Sequence, residues 1–222
     1  MTLLHIPYTL WHLSYVVIGA ALAPAWLPGR LVATLVAFFL ALGIGAHALD
    51  ELQGRPLATE IPSRVLWTLA AVSISAAVAI GIAAAVAWTP WLLAFVVFGG
   101  FVVIAYNLEL AGGRFHSDLW FALAWGALPL LTAYVAAAET ITWAALAAAG
   151  FAAALSHAQR CLSTPMRLLR RQARDVSGAL DLEDGTRIPI TAALLTRAPE
   201  RALRAMAVAT ITIAVALVLL RA

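Results

Sequence analysis

His47, Asp50, Glu51 and Arg55 arrive together in the stretch GAHALDELQGRPL, residues 45–57, directly after a long apolar run. On a continuing helix the first three stand at i, i+3 and i+4 and share a face. Carboxylates near a membrane interface suit a hard cation such as Mg²⁺, which takes oxygen ligands and keeps several waters. An arginine beside them suits the phosphates such a cation would bridge, because its fork bonds oxyanions in pairs. Ionisable groups at the end of a bilayer-depth segment are costly and mark function. Asp50 is therefore the first candidate.

Two further polar clusters follow. One holds Asn107, Glu109, Arg114, His116 and Asp118. The other runs from His157, Gln159 and Arg160 through Arg174 and Asp175 to Asp181, Glu183, Asp184 and Arg187. In this last cluster, ordinary solvated loop charge competes with a functional reading. His47, His116 and His157 also offer an alternative: with Asp50, Glu51 and Asp118 they have the ligand types of a transition-metal site. His5 and His12, at the start of the first apolar segment, read as interfacial hydrogen-bonding residues.

The elements that must position these clusters are membrane spans. The chain is 64% apolar and 11% charged, against roughly 25% charged in soluble domains. Segments 8–27, 30–49, 65–88, 90–108, 118–138, 141–160 and 202–220 each approach the roughly 20 residues that cross a bilayer. This predicts an all-α, polytopic membrane bundle of about seven transmembrane helices, forming one domain over residues 1–222. The first segment lacks a basic start and a small-residue cleavage site, so it reads as a retained span rather than a signal peptide.

All fourteen basic residues are arginine. Under this span count, Arg30 and Arg221 fall on one side and the other twelve on the opposite side, with every carboxylate except Glu139. Cytoplasmic loops carry the excess of positive charge. The N-terminus and the even-numbered loops are therefore expected in the cytoplasm, with the chain in the cell inner membrane. The longest non-apolar stretch, about 161–201, is expected to be a cytoplasmic loop with an amphipathic helix that starts at Thr164–Pro165. Arg167, Arg170, Arg171 and Arg174 share one face of that helix, suited to anionic lipid or to substrate.

Other chemistries find no footing. There is no phosphate-binding glycine loop of the Walker type, no G-x-S-x-G and no H-E-x-x-H. Nucleic acid is not an expected partner, since basic and aromatic residues are not interleaved in a soluble module. The single cysteine, Cys161, excludes an internal disulfide and reads as a small packed residue.

The arrangement resembles the UbiA superfamily of membrane prenyltransferases, particularly the branch that prenylates dihydroxynaphthoate. LALGIGAHALDELQGRPL, residues 40–57, is similar to that family's first Asp-rich region, with His47, Asp50 and Glu51 at its Asn, Asn and Asp positions. RDVSGALDLEDGTR, residues 174–187, is similar to its second, with Arg174, Asp175, Asp181, Gly185 and Arg187 at comparable places. Gly126, Pro129 and Tyr134 match a G-x-x-P-x-x-x-Y run in the fifth span, with looser spacing.

The resemblance implies Mg²⁺ held by Asp50, Glu51, Asp175 and Asp181, which would be both the catalytic and the metal-binding set. It implies a prenyl diphosphate contacted by His47, Arg55, Asn107, Glu109, Arg114, Arg174 and Arg187. Trp67, Tyr106, Trp120 and Trp125 become candidate walls, and an aromatic or lipid acceptor takes the chain. The departures are Gly54 where an Asp is usual, Glu51 for Asp, the wider Asp175–Asp181 spacing and seven spans against nine. They carry the alternative of a non-catalytic membrane subunit that binds an isoprenoid, quinone or pigment, or assembles with a membrane protein partner or with itself.

Overall fold

Apolar runs of this length fold as helices, because in lipid a helix satisfies its own backbone polar groups. The structure, a computed structural model, describes residues 3–221. Among them the main helices are α1 (Ile6–Leu22), α2 (Pro28–Leu52), α3 (Ser63–Ala87), α4 (Leu92–Asn107), α5 (Asp118–Ala138), α6 (Trp143–Arg171) and α7 (Ala192–Leu219). Four of these, α2, α3, α5 and α7, are long and apolar enough to cross a membrane, while α1 and α4 are apolar but shorter. The fold is nearly all helical, and its long apolar helices point to a membrane protein. Large apolar side chains face outward, as lipid requires: Val86 is 85% and Trp143 87% exposed.

Local chemistry sets the helix starts. Pro28 fits the first turn of α2, where a missing N–H costs nothing. Thr142 and Thr191 cap α6 and α7, their hydroxyl oxygens accepting from the Ala145 and Leu194 amides at 3.2 and 3.1 Å. Small residues then let the helices approach closely. A Cβ on Gly126 of α5 would lie 2.5 Å from the Ala152 carbonyl oxygen of α6. One core joins Trp11, Tyr15, Leu130, Ala152 and Ala207 from α1, α5, α6 and α7. A second joins Leu42, Val103, Tyr106, Phe121 and Trp125 from α2, α4 and α5.

Two helices are interrupted by π-helical segments, Phe39–Ala46 in α2 and Ala122–Ala127 in α5. Such segments free backbone carbonyls and often stand at functional sites. Both lie against the second core, beneath the polar end of the bundle.

Region 161–201 departs from the expected surface helix. No helix starts at Pro165; α6 runs through it to Arg171. Ser156, Gln159, Arg160 and Met166 are all buried, with Met166 8% exposed, so the packed face continues across the proline. That burial offsets a break worth ~3 kcal/mol in an isolated helix. Residues 179–189 form a short antiparallel hairpin, β1 (Ala179–Asp181) with β2 (Arg187–Pro189), pairing Leu180 with Ile188. In its turn Asp184 accepts from the Thr186 amide at 2.9 Å, which holds the carboxyl below its usual range. α7 likewise begins ahead of its proline, Pro199, and not after it.

The arginines separate by end. Arg30 meets Glu139 and the Ala136 carbonyl, each at 2.7 Å, and lies over Trp88. Arg221 donates to the Ala21 and Ala23 carbonyls, at the same end of α1. The arginines of α6 and the start of α7 gather at the other end.

Candidate functional site

A cavity of about 580 Å³ opens at that arginine-rich end, within the usual range for small-molecule sites. It takes residues from the start of α1 (Tyr8, Trp11), the end of α2 (His47, Asp50), the end of α4 (Tyr106, Asn107) and the start of α5 (Phe121, Trp125). α6 adds Gln159, Arg160, Arg167, Arg170 and Arg171, and α7 adds Arg204. Among the described residues Asp50 is the only carboxylate in the lining. Arg160 pairs with Asp118 at 2.9 Å and Arg170 pairs with Glu200. Arg167, Arg171 and Arg204 have no carboxylate partner among the described residues. The lining therefore carries an excess of positive charge.

Its floor is aromatic. The Phe121 and Trp125 rings stack with centroids 5.4 Å apart and planes 7° from parallel, and Tyr106 lies 4.6 Å from Trp125. The Arg160 guanidinium stands 5.4 Å above Phe121 and 5.9 Å above Tyr106, within cation–π reach. The Tyr106 hydroxyl and the Gln159 Oε1 are buried without a hydrogen-bond partner. Both residues belong to the lining.

Two histidines of the lining are fixed in one tautomer. His47 Nδ1 lies 2.9 Å from the Leu42 carbonyl and His116 Nδ1 3.1 Å from the Tyr106 carbonyl. A carbonyl only accepts, so each Nδ1 carries hydrogen, and in the neutral ring Nε2 bears the lone pair. Below the floor His12 repeats the device on the Trp125 carbonyl at 2.7 Å. Leu42 and Trp125 belong to the two π segments, so the helix irregularities orient two of these rings.

A narrow apolar cleft of about 100 Å³ adjoins the cavity between α2, α3, α4 and α5. Trp125 lines both spaces. From Trp125 and Leu42 the cleft extends toward Trp88 and Ala136 at the opposite end.

Of the residues expected to act together, the cavity lining includes His47, Asp50 and Asn107. Asn107 is buried and donates to the Val103 carbonyl at 2.6 Å. Glu51 is turned away from Asp50 and is wholly buried. Its oxygens accept from the Leu57 amide at 2.9 Å and from the Thr59 amide and hydroxyl, each at 2.8 Å. Arg55 spends its guanidinium on the Thr59 and Ile61 carbonyls and the Ser63 hydroxyl. Both residues brace the loop after α2 and are not free for a metal or a phosphate. Glu109 is exposed, 3.8 Å from His116 Nδ1. Arg114, Arg174 and Asp175 are exposed outside the lining. Asp181 and Arg187 face each other across the hairpin at 3.7 Å.

Asp175 and Asp181 thus do not join Asp50 in the cavity lining. The resemblance implied Mg²⁺ held by two acidic motifs, whereas the cavity lining offers the single carboxylate of Asp50. A Mg²⁺ there would be held by Asp50 and would take its remaining oxygen ligands from waters and a substrate phosphate. The α6 arginines, expected on a surface helix, are the main feature the sequence placed elsewhere. Their shared helical face was visible, but Pro165 disguised its continuity with α6. No family model, no curated protein and no solved structure matches the chain.

Proposed function

We propose that this chain is a UbiA-like bundle of about seven spans that binds a prenyl diphosphate and transfers its isoprenoid to an aromatic or lipid acceptor. The arginine-rich end faces the cytoplasm in the cell inner membrane. One observation carries this reading: a cationic cavity and an apolar cleft share a wall at Trp125. That shape suits a ligand with an anionic head and a hydrocarbon tail.

The chain's own residues suffice to describe the chemistry. Arg167, Arg171 and Arg204 receive the diphosphate, with charge-assisted bonds. The allylic C–O bond breaks and the diphosphate leaves with the electron pair, its growing charge met by the guanidinium groups. The aromatic floor shields the allylic cation from water. The acceptor attacks C1, and its proton passes to the lone pair of His47 Nε2 or to Asp50.

A second reading is favoured by the single carboxylate of the lining. The chain then holds an isoprenoid, a quinone or a pigment without turnover, alone or within a membrane complex. Purified protein incubated with radiolabelled farnesyl diphosphate, with and without Mg²⁺ and a naphthoate acceptor, separates the two. Diphosphate release that disappears in Asp50→Ala supports transfer. Saturable retention without release supports the second reading. Neither release nor retention overturns both.

A further inference from the structure

On the outer flank of α6, away from the cavity, His157 and Cys161 stand one helical turn apart beside Asp118 of α5. His157 Nε2 lies 3.5 Å from Cys161 Sγ. One ligand atom from each of the three residues lies within 4.8 Å of the others. We propose that Asp118, His157 and Cys161 form a binding site for a zinc-type divalent transition metal.

The distances support the assignment. A tetrahedral zinc with bonds of about 2.0–2.3 Å sets its ligand atoms roughly 3.5 Å apart. The His157–Cys161 pair already has that separation, and a swing of the Asp118 carboxylate, which starts within 4.8 Å of both, closes the other two edges. The Asp118 side chain is 46% exposed, which leaves it room to move.

The chemistry is also matched. Thiolate, imidazole and carboxylate together select a borderline-soft ion over Mg²⁺ or Ca²⁺. On binding, the Cys161 thiol gives its proton to solvent. A thiolate, a carboxylate and a neutral imidazole then balance the two charges of the ion. Arg160 Nε, 2.9 Å from Asp118 Oδ1, holds the carboxylate from behind, as outer partners of metal ligands do. His157 and Cys161 are exposed, so an ion can enter, and the fourth position is left for water or another ligand.

The site is tested with tag-free, detergent-purified protein titrated with Co²⁺ and Zn²⁺. The expected result is one Co²⁺ per chain with a thiolate-to-cobalt charge-transfer band in the near ultraviolet. Cys161→Ser and His157→Ala abolish the band, and Asp118→Asn, which removes a charged ligand, weakens binding by at least the roughly 10- to 100-fold that loss of an outer-shell partner costs. Because Cys161 is the only cysteine, Zn²⁺ should also slow its alkylation by a maleimide, and a chelator should restore the rate. His157 and Cys161 are exposed, so their variants keep the fold. No band in the wild type, a band that survives His157→Ala, or an alkylation rate indifferent to Zn²⁺ would overturn the proposal.

Discussion

Replacing Glu51 separates a brace from a ligand. Its carboxylate is wholly buried and accepts three hydrogen bonds of 2.8–2.9 Å from Leu57 and Thr59. Glu51→Ala removes all three and strands two backbone amides in the loop after α2. A buried donor left unpaired costs about 1–3 kcal/mol, so the variant should lose roughly 3–5 kcal/mol in all. For a chain of this size each kcal/mol moves Tm by about 2–4 °C, which gives a fall on the order of 10 °C. Thermal unfolding in detergent, followed by tryptophan fluorescence, measures it. Glu51→Gln keeps one acceptor and should fall about half as far. Asp50→Asn should leave Tm unchanged, because the Asp50 side chain faces the cavity. The reasoning is refuted if Glu51→Ala unfolds like the wild type, or if Asp50→Asn is the less stable of the two.

Further outcomes follow from the same geometry. Gly126→Ala drives a methyl group against the Ala152 carbonyl and should cost about 1–3 kcal/mol by overpacking, read as a lower Tm. Asp175→Ala and Asp181→Ala should bind farnesyl diphosphate as the wild type does, because neither residue lines the cavity; equilibrium binding of the labelled compound checks this. Glu139→Gln removes the partner of a partly exposed Arg30 and should cost less than about 1 kcal/mol, with no effect on binding at the opposite end.

Much of the architecture was legible because lipid imposes simple rules. The apolar runs located the helices, and the uneven arginines anticipated which ones share an end, with Arg30 and Arg221 apart from the rest. Asp50 was legible as charge at the end of such a run. Glu51 was not separable from it by helical spacing alone. Neighbouring residues on an α-helix point about 100° apart, enough for one to face the cavity and the other the loop at 57–59. The π segments had no clear sequence mark beyond Gly43, Gly45 and Gly126, so the carbonyls that orient His12 and His47 could not be foreseen. Pro165 read as a helix start, yet packing on both sides carries α6 through it, and α7 likewise continues through Pro199. The strands at 179–181 and 187–189 are too short to show a period.

The direct test of the cavity compares two arginine pairs of equal charge. Arg167→Ala/Arg171→Ala strips the lining, whereas Arg174→Ala/Arg187→Ala removes exposed arginines outside it. Binding of radiolabelled farnesyl diphosphate to each is measured at fixed ionic strength. Hydrogen bonds to charged groups contribute about 1.5–3 kcal/mol each, so the first pair should weaken binding by well over about tenfold and the second should leave it unchanged. Equal losses in both pairs, or no saturable binding by the wild type, would contradict the account.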